Sequence, residues 1–185
     1  MTDRDHCVIH VVDDDAAFRR SLVFLLESED WQVRSHASAE AFLEACAAPP
    51  PDLGCLVLDI RMPGMSGLEL QHALQARGWR VPIVFITGHG DVELAVQAMK
   101  RGAADFVEKP FKDQALLDAV AAAVRRGAQD RAQAVRRCEA AELLARLSPR
   151  ERQVARLVAL GSPNKIVARE LGISAQAVSK RARKE

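Results

Sequence analysis

Leu53-Gly-Cys-Leu-Val-Leu-Asp59 is a short apolar run that ends in a single carboxylate. Similar apolar runs occur at residues 7–12, 81–86 and 104–107, and each is followed by polar or turn residues. Runs of this length with polar ends predict buried β-strands. Residues 31–34 form a weaker candidate, so the sequence predicts five strands in all.

The segments between these runs have the spacing of amphipathic helices. Apolar residues recur at helical intervals in residues 16–28, 39–47, 68–77, 92–101 and 114–124. Strict alternation of strands and helices predicts right-handed crossovers and a parallel sheet with helices on both faces. The predicted fold class of this part is therefore α/β, with a doubly wound five-stranded parallel sheet.

Charged and polar side chains follow the strong strand candidates, at the sheet edge where ligands bind in such folds. These residues are Asp13, Asp14 and Asp15, then Asp59, Thr87 and Lys109. Adjacent carboxylates raise one another's pKa unless a cation lies among them, and their oxygens suit Mg²⁺. We therefore predict a divalent cation at this edge.

With a cation present, ionised Asp59 is a plausible nucleophile toward phosphorus, and Lys109 and Thr87 can hold the phosphoryl oxygens. A single aspartate after a strand is most often a turn or N-cap residue. A role in turns or helix caps alone does not readily explain why polar residues follow several strands of the same predicted sheet. The chemistry predicted from the residues is phosphoryl transfer to Asp59.

Four motifs resemble a bacterial response-regulator receiver of the FixJ type. They are Val11-Val-Asp-Asp-Asp15, Leu58-Asp-Ile-Arg-Met-Pro-Gly-Met-Ser-Gly67, Ile86-Thr-Gly-His-Gly-Asp91 and Gly102-Ala-Ala-Asp-Phe-Val-Glu-Lys-Pro-Phe111. The resemblance implies a flavodoxin-like receiver domain over residues 1–124. It also implies a protein that accepts a phosphoryl group from a sensor histidine kinase and is not an enzyme acting on external substrates.

By this resemblance, Asp59 is the phospho-acceptor. The implied Mg²⁺ ligands are Asp13, Asp14 and Asp59, together with the backbone carbonyl of Arg61. The bond between Lys109 and the proline that follows it resembles the cis peptide of the family, although sequence cannot show the isomer.

Three further residues are implied to respond to the phosphoryl group. Its negative charge should draw the Thr87 hydroxyl and the Lys109 ammonium inward. The aromatic ring of Phe106 should then rotate into the space behind Thr87. We expect this change to promote a homodimer through the surface formed by the fourth helix, the fifth strand and the fifth helix.

The charge of the chain is divided between two parts. Residues 1–124 contain 11 basic and 19 acidic residues, a net charge of −8. Residues 125–185 contain 15 basic and 6 acidic residues, a net charge of +9. A basic region of this size is typical of a domain that binds phosphate backbone, although a solvated helix rich in Arg and Ala has the same composition. Only 4% of the residues are aromatic, which argues against a base-stacking platform.

Local signals after residue 147 predict short helices. Ser148-Pro-Arg-Glu151 is a capping box with proline at the first helical position. Ser162-Pro163 is predicted to cap a second helix over Asn164–Leu171, and Ser174 to cap a third. Two short helices joined at Gly172 predict a helix-turn-helix.

This segment resembles the LuxR-type DNA-binding domain in Leu147-Ser-Pro-Arg-Glu-Arg152 and in Asn164-Lys-Ile-Val-Ala-Arg-Glu-Leu-Gly-Ile-Ser-Ala-Gln-Ala-Val178. The resemblance implies a small all-α domain over residues 147–185. Residues 125–146 are rich in Ala, Arg, Gln and Glu and contain no proline, so we predict that they form a helical linker. Promoter DNA is the implied partner. The residues implied to read bases or contact phosphates are Lys165, Ser179, Lys180, Arg181 and Arg183.

The sequence departs from the LuxR pattern in two ways. Arg181 stands where the family usually has His, and the chain ends at Glu185, before the fourth helix that usually contributes to the dimer. The leading expectation is a two-component response regulator whose phosphorylation controls DNA binding and transcription. The alternative is a signalling adaptor with a truncated DNA-binding tail that does not function.

No stretch approaches the roughly 20 apolar residues that span a bilayer, and the chain does not begin with the layout of a signal peptide. We therefore expect a cytoplasmic protein that does not associate with membranes. The cysteines have no CxxC spacing, so neither a disulfide framework nor a zinc site is predicted. They are Cys7, Cys46, Cys55 and Cys138.

Overall fold

A computed structural model describes residues 7–88 and 92–172, together with residues 174, 176 and 178. Strands and helices alternate through the first part of these residues, as predicted. The strands are β1 (Val8–Val12), β2 (Gln32–His36), β3 (Leu53–Asp59), β4 (Ile83–Thr87) and β5 (Asp105–Glu108). The helices are α1 (Ala16–Glu27), α2 (Ala39–Ala45), α3 (Gly67–Ala76), α4 (Val92–Lys100), α5 (Asp113–Arg146), α6 (Pro149–Ala159) and α7 (Asn164–Leu171).

The five strands form one parallel sheet in the order β2-β1-β3-β4-β5. This order and the alternating helices confirm the predicted doubly wound α/β fold. The weak strand candidate at residues 31–34 is β2, which lies at an edge of the sheet and pairs only with β1 among the described strands. Its side chains are largely exposed, so its sequence lacks the continuous apolar run that marks the inner strands.

Each inner strand sends alternate side chains to two separate hydrophobic cores. On one face, Ile9 and Val57 pack in a core that includes Leu22 of α1 and Leu116 of α5. On the other face, Leu56 and its neighbours pack with residues of α2, α3 and α4. Because both faces are covered, β1, β3 and β4 are buried along their whole length and mostly apolar, as is usual for parallel strands in such folds.

The N-terminus of α3 lies directly against the carboxyl end of β3. Ser66 and Glu69 form a reciprocal capping box at this terminus. The Gly67 N–H donates to the Ile60 carbonyl at 3.0 Å. A Cβ atom on Gly67 would overlap the backbone carbonyl oxygen of Asp59, so glycine is required here by close approach rather than by its backbone dihedrals.

Two glutamine side chains of α3 bind the last turn of α4. Gln71 Nε2 donates to the carbonyl oxygens of Ala98 at 3.2 Å and Arg101 at 3.5 Å, and Gln75 Nε2 also donates to Arg101. These bonds add side-chain donors at the C-terminal end of α4, where the Ala98 carbonyl also accepts from the Arg101 and Ala103 N–H groups. Gln71 is buried, and its Oε1 atom has no hydrogen-bond partner among the described residues.

Helix α5 continues well beyond residue 124, where the apolar spacing of the sequence ends. Gly127 packs so tightly against Pro82 that a Cβ atom would contact the proline ring, and Arg131 Nη1 donates to the Leu53 carbonyl at 3.3 Å. The chain divides into two compact units, with the boundary between Arg131 and Ala132.

In the second unit, a short turn over residues 160–163 joins α6 to α7. The capping box of Ser148 and Glu151 is present, as predicted. The predicted cap at Ser162-Pro163 is wrong in its detail, because Pro163 is the N-cap residue of α7 and makes no side-chain cap hydrogen bond. Proline has no side-chain acceptor for this role.

The small core of this unit consists of Val154, Val167, Ala168 and Val178. Gly172 ends α7 in the left-handed conformation, with a φ of 60°. The Val178 N–H donates to the Ser174 carbonyl at 3.1 Å. The rest of the predicted third helix lies outside the described residues.

Among the described residues, no helix combines the length and the apolar character that crossing a bilayer requires. All four cysteines lie in this part of the chain, with Cys138 exposed and the other three buried.

We predict that Gly67→Ala destabilises the receiver by about 1–3 kcal/mol, because the added methyl group overlaps the Asp59 carbonyl and forces α3 to shift. Urea unfolding followed by circular dichroism measures the change. His72→Ala, at an exposed position of the same helix, is the matched control. Equal unfolding midpoints for Gly67→Ala and the wild type would contradict the prediction.

Candidate functional site

The sheet brings four polar residues to its carboxyl edge. Asp13 directly follows β1, Asp59 is the last residue of β3, Thr87 is the last of β4, and Lys109 directly follows β5. These four strands are consecutive neighbours in the sheet. The Lys109 N–H also donates to the Thr87 carbonyl at 2.8 Å, which fixes the end of β5 beside the end of β4.

The ammonium group of Lys109 joins two of these residues. Lys109 Nζ lies 3.4 Å from Asp13 Oδ2 and 3.4 Å from Asp59 Oδ1. Asp13 is 1% exposed and Asp59 is 8% exposed, so both carboxyl groups are largely removed from water. Residues that are 96 and 50 positions away from Lys109 therefore meet at one point.

Burial dominates the electrostatics of the two carboxyl groups. It raises the pKa of Asp59 to about 6; Lys109 opposes the rise and the charge of Asp13 adds to it. Burial also raises the pKa of Asp13, again against the effect of Lys109. One ammonium therefore does not fully compensate two ionised carboxylates in this environment.

The backbone around Asp13 is held by hydrogen bonds within the first turn of α1. Asp13 Oδ1 accepts from the Asp15 N–H at 2.8 Å, and Asp15 in turn is the N-cap residue of α1. Arg19 Nη1 donates to the Asp13 carbonyl at 2.6 Å. Asp14, the second residue of the predicted acidic pair, is exposed beside this group.

The loop between β3 and α3 is held by α2. Glu40 Oε1 accepts from the Met65 N–H at 2.8 Å. Gly64 in this loop has a φ of 75°, and a side chain there would also collide with Glu40. Because the loop contains Arg61, Glu40 constrains the segment whose backbone carbonyl is a predicted metal ligand. The structure leaves that ligand role of Arg61 a prediction.

The donor set at this edge suits Mg²⁺. This ion typically binds one or two carboxylates and retains several water molecules. Asp13 and Asp59 offer two buried carboxylates with more negative charge than Lys109 neutralises. In the part of the chain that the structure describes, no three His, Cys, Asp or Glu side chains are already grouped to enclose an ion. The residues therefore fit an ion that water molecules also coordinate.

The other residues predicted to respond to phosphorylation lie on the neighbouring strands. Thr87 is buried at 2% exposure. Phe106 of β5 is 43% exposed, so its ring is not part of the core. The Lys109–Pro110 peptide bond is cis.

The predicted DNA-binding residues are only partly described. Lys165 is exposed in the first turn of α7. Ser179, Lys180, Arg181 and Arg183 lie outside the described residues. Their roles therefore stay predictions.

Sequence reasoning missed two residues that support the site. Arg19 and Glu40 lie in the helices predicted over residues 16–28 and 39–47, and the sequence predicts no further role for them. Arg19 contacts a backbone carbonyl, and Glu40 contacts the backbone of a segment that is distant in sequence. Contacts of these two kinds leave no recognisable pattern in a sequence. A glutamate facing a glycine-containing loop is too common to be a signal by itself.

Buried carboxylates that share one lysine at the carboxyl edge of a 2-1-3-4-5 parallel sheet define a receiver domain, and α6 and α7 add a second, helical unit. The family of the response regulator receiver domain matches residues 9–121. The luxR family of bacterial regulatory proteins matches residues 145–181. The chain belongs to the bacterial response regulators, with a receiver and a LuxR-type DNA-binding domain.

Individual relatives agree with this membership. The chain is 52% identical to the transcriptional regulatory protein FixJ of Azorhizobium caulinodans, over 92% of this chain and 80% of that protein. It is 45% identical to the FixJ protein of Bradyrhizobium diazoefficiens, over 96% of this chain and 85% of that one. Among solved structures, the response regulator StyR matches with a TM-score of 0.76 and 43% identity, over 97% of this chain and 89% of that one.

These matches confirm the predicted class of function. The chain is a FixJ-like response regulator of a two-component system, and the receiver implies a histidine kinase as its partner. The luxR-family domain implies DNA binding and transcription regulation. The adaptor alternative is not favoured, and response regulators are in general signalling proteins rather than enzymes.

We predict that Asp59→Asn stabilises the protein at pH 7 without added Mg²⁺. The raised pKa of Asp59 means that the native state binds more protons than the unfolded state between about pH 4 and pH 6. Stability conferred by the protonated carboxyl is therefore lost as the pH rises through this window. Removing the buried charge should add about 2–3 kcal/mol at pH 7 and little at pH 4.

Urea unfolding of both proteins from pH 4 to pH 7.5 measures this difference. Asp130→Asn, at an exposed position of α5, is the matched control and should leave the unfolding free energy unchanged across the range. A wild-type protein that is more stable than Asp59→Asn at pH 7 would show that the Asp59 charge is compensated in the fold.

Proposed function

We propose that Asp59 accepts a phosphoryl group from a phosphohistidine of the partner kinase. The observation that carries this proposal is the convergence of Asp13 and Asp59 on Lys109 Nζ at 3.4 Å each. In the transfer, the bond between the kinase imidazole nitrogen and phosphorus breaks, and a bond between an Asp59 carboxylate oxygen and phosphorus forms. The chain is thus a phosphoryl acceptor and does not turn over external substrates.

We assign the Mg²⁺ ion to Asp13, Asp14, Asp59 and the backbone carbonyl of Arg61. When bound, the ion neutralises negative charge on the carboxylates and on the phosphoryl oxygens. The buried carboxylates of Asp13 and Asp59 support this assignment, because their uncompensated charge favours a cation. Phosphatases that form an aspartyl-phosphate need a second aspartate, two residues after the nucleophile, as their acid/base. Arg61 stands at that position here, which argues against phosphatase activity.

The phosphoryl group then changes the surface of the receiver. It brings about −1.5 to −2 charge to a site that is largely closed to water, and attracts the Thr87 hydroxyl and the Lys109 ammonium. Phe106 then rotates from its exposed position toward the space behind Thr87. The receiver is in equilibrium between a state with Phe106 exposed and a state with Phe106 turned inward. The phosphoryl group shifts this equilibrium only to the extent that it interacts more favourably with one state than with the other.

The surface that changes is the proposed dimer interface. Val96 and Met99 of α4 are 45% and 38% exposed, and Phe106 is exposed on β5, a strand that α4 contacts. Exposed large apolar side chains on neighbouring elements are typical of a protein interface. We propose that the phosphorylated receiver forms a homodimer through α4, β5 and α5.

The division of the chain that we propose is a receiver at residues 1–124, a helical linker at 125–146 and a DNA-binding domain at 147–185. The continuous helix α5 supports a helical linker. The contacts of Gly127 and Arg131 show that the first linker residues also pack on the receiver. We propose Lys165, Ser179, Lys180, Arg181 and Arg183 as the DNA contacts.

We expect the wild-type chain to take up a base-labile phosphate from acetyl phosphate in the presence of Mg²⁺, and Asp59→Asn to take up none. The reason is that the receiver motif identifies Asp59 as the acceptor, and its buried carboxylate lies 3.4 Å from Lys109 Nζ. Intact-protein mass spectrometry and peptide mapping measure the uptake. Asp130→Asn should behave as the wild type, and phosphate on a residue other than Asp59 would contradict the assignment.

We expect binding to duplex DNA selected from a random library to weaken by about 10³–10⁵-fold between 50 and 200 mM salt, if six to ten phosphates are contacted. Lys165→Ala should reduce the slope of log affinity against log salt by about one, because one phosphate contact is lost. Fluorescence anisotropy with the full chain measures both. Lys112→Ala in the receiver is the control, and an unchanged slope in Lys165→Ala would remove Lys165 from the contacts.

A further inference from the structure

We propose that Phe18 is a positioning residue for phosphoryl transfer, because its aromatic face holds the Lys109 ammonium beside Asp59. The inference rests on the proposed phosphorylation of Asp59. Lys109 Nζ lies 4.0 Å from the centroid of the Phe18 ring, well inside the distance of a cation–π interaction. The same atom is the one that contacts Asp13 and Asp59.

The carboxylates alone hold this ammonium loosely. Both contacts of Lys109 Nζ measure 3.4 Å, whereas charge-assisted hydrogen bonds between an ammonium and a carboxylate are usually about 2.7–2.9 Å. The Lys109 side chain is also 31% exposed, so water competes for its donors. The ring of Phe18 therefore supplies a third attraction to a group that its two carboxylate partners do not fix tightly.

The fold fixes the ring itself from two directions. The Phe18 N–H donates to the N-cap carboxylate of Asp15 at 3.1 Å, which places Phe18 in the first turn of α1. Its ring packs edge to face on Phe111, with centroids 6.1 Å apart and an interplanar angle of 71°. Phe111 lies two residues after Lys109, so the segment that carries the lysine also packs against the ring.

An aromatic ring suits this position better than a third carboxylate would. An acidic side chain would also attract Lys109, but it would compete with the phosphoryl oxygens for the ammonium and would add negative charge beside Asp59. A ring attracts the cation through its quadrupole and adds no formal charge beside Asp59. Phe18 can thus hold Lys109 near Asp59 before transfer and still let it contact the phosphoryl group.

The test compares Phe18→Leu, which keeps an apolar side chain but removes the ring, with Phe18→Tyr, which keeps the ring. We expect Phe18→Leu to slow phosphorylation by acetyl phosphate and Mg²⁺ by about 3- to 20-fold, and Phe18→Tyr to restore most of that loss. Phe24→Leu is the matched control, since Phe24 lies on the same helix and is 75% exposed. Equal losses in Phe18→Leu and Phe18→Tyr would indicate packing alone and overturn the proposal.

A double-mutant cycle separates action through Lys109 from a general effect on the fold. In a Lys109→Gln background, Phe18→Leu should cause no further loss, because the ammonium that the ring holds is already absent. Losses that simply multiply would overturn the proposal. Urea unfolding of each variant shows whether a loss of activity reflects a loss of the folded state.

The contact between the Lys109 side chain and the Phe18 ring can also be measured directly, without phosphorylation. The NMR signals of the Lys109 Cε protons should be shifted upfield by the ring current in the wild type, and this shift should disappear in Phe18→Leu. Absence of the shift in the wild type would overturn the proposed contact while leaving phosphorylation of Asp59 intact. A shift with no phosphate uptake at Asp59 in the wild type would instead refute the proposed function, and with it the positioning role.

Discussion

A single ammonium group lies between two buried carboxylates, and the chemistry of the receiver depends on this imbalance of charge. Lys109 contacts Asp13 and Asp59 together, yet burial still raises the pKa of both carboxyl groups. In the function proposed above, this excess of negative charge favours a bound cation and, through the cation, an anionic phosphoryl group. The native state carries the cost of the buried charge, which is a usual feature of functional sites.

The parallel sheet makes this convergence possible. Each of β1, β3, β4 and β5 ends at the same edge, so residues that are far apart along the chain meet without any long excursion of the backbone. The supporting contacts are local to that edge. Arg19 binds the backbone after β1, Glu40 binds the loop after β3, and Gly67 lets α3 start against the Asp59 carbonyl.

Much of the receiver could be predicted because its signals are local. An apolar run predicts a buried strand, and the polar residue that follows it is predicted to lie at the carboxyl edge of the sheet. This rule correctly places Asp59 and Lys109 at that edge. The sequence predicts a helical linker over residues 125–146, and α5 extends to Arg146. The packing of Gly127 on Pro82 could not be predicted, because the apolar spacing ends at residue 124. Phe18 was assigned to a helix, but its contact with Lys109 depends on tertiary structure that has no sequence pattern.

The glutamine contacts at the end of α4 limit how that helix can move. Gln71 and Gln75 bind the Ala98 and Arg101 carbonyls, so the C-terminal end of α4 is fastened to α3 while its N-terminal end follows the strand that contains Thr87. A pivot of α4 about its last turn keeps these bonds, whereas a translation of α4 along its own axis stretches them.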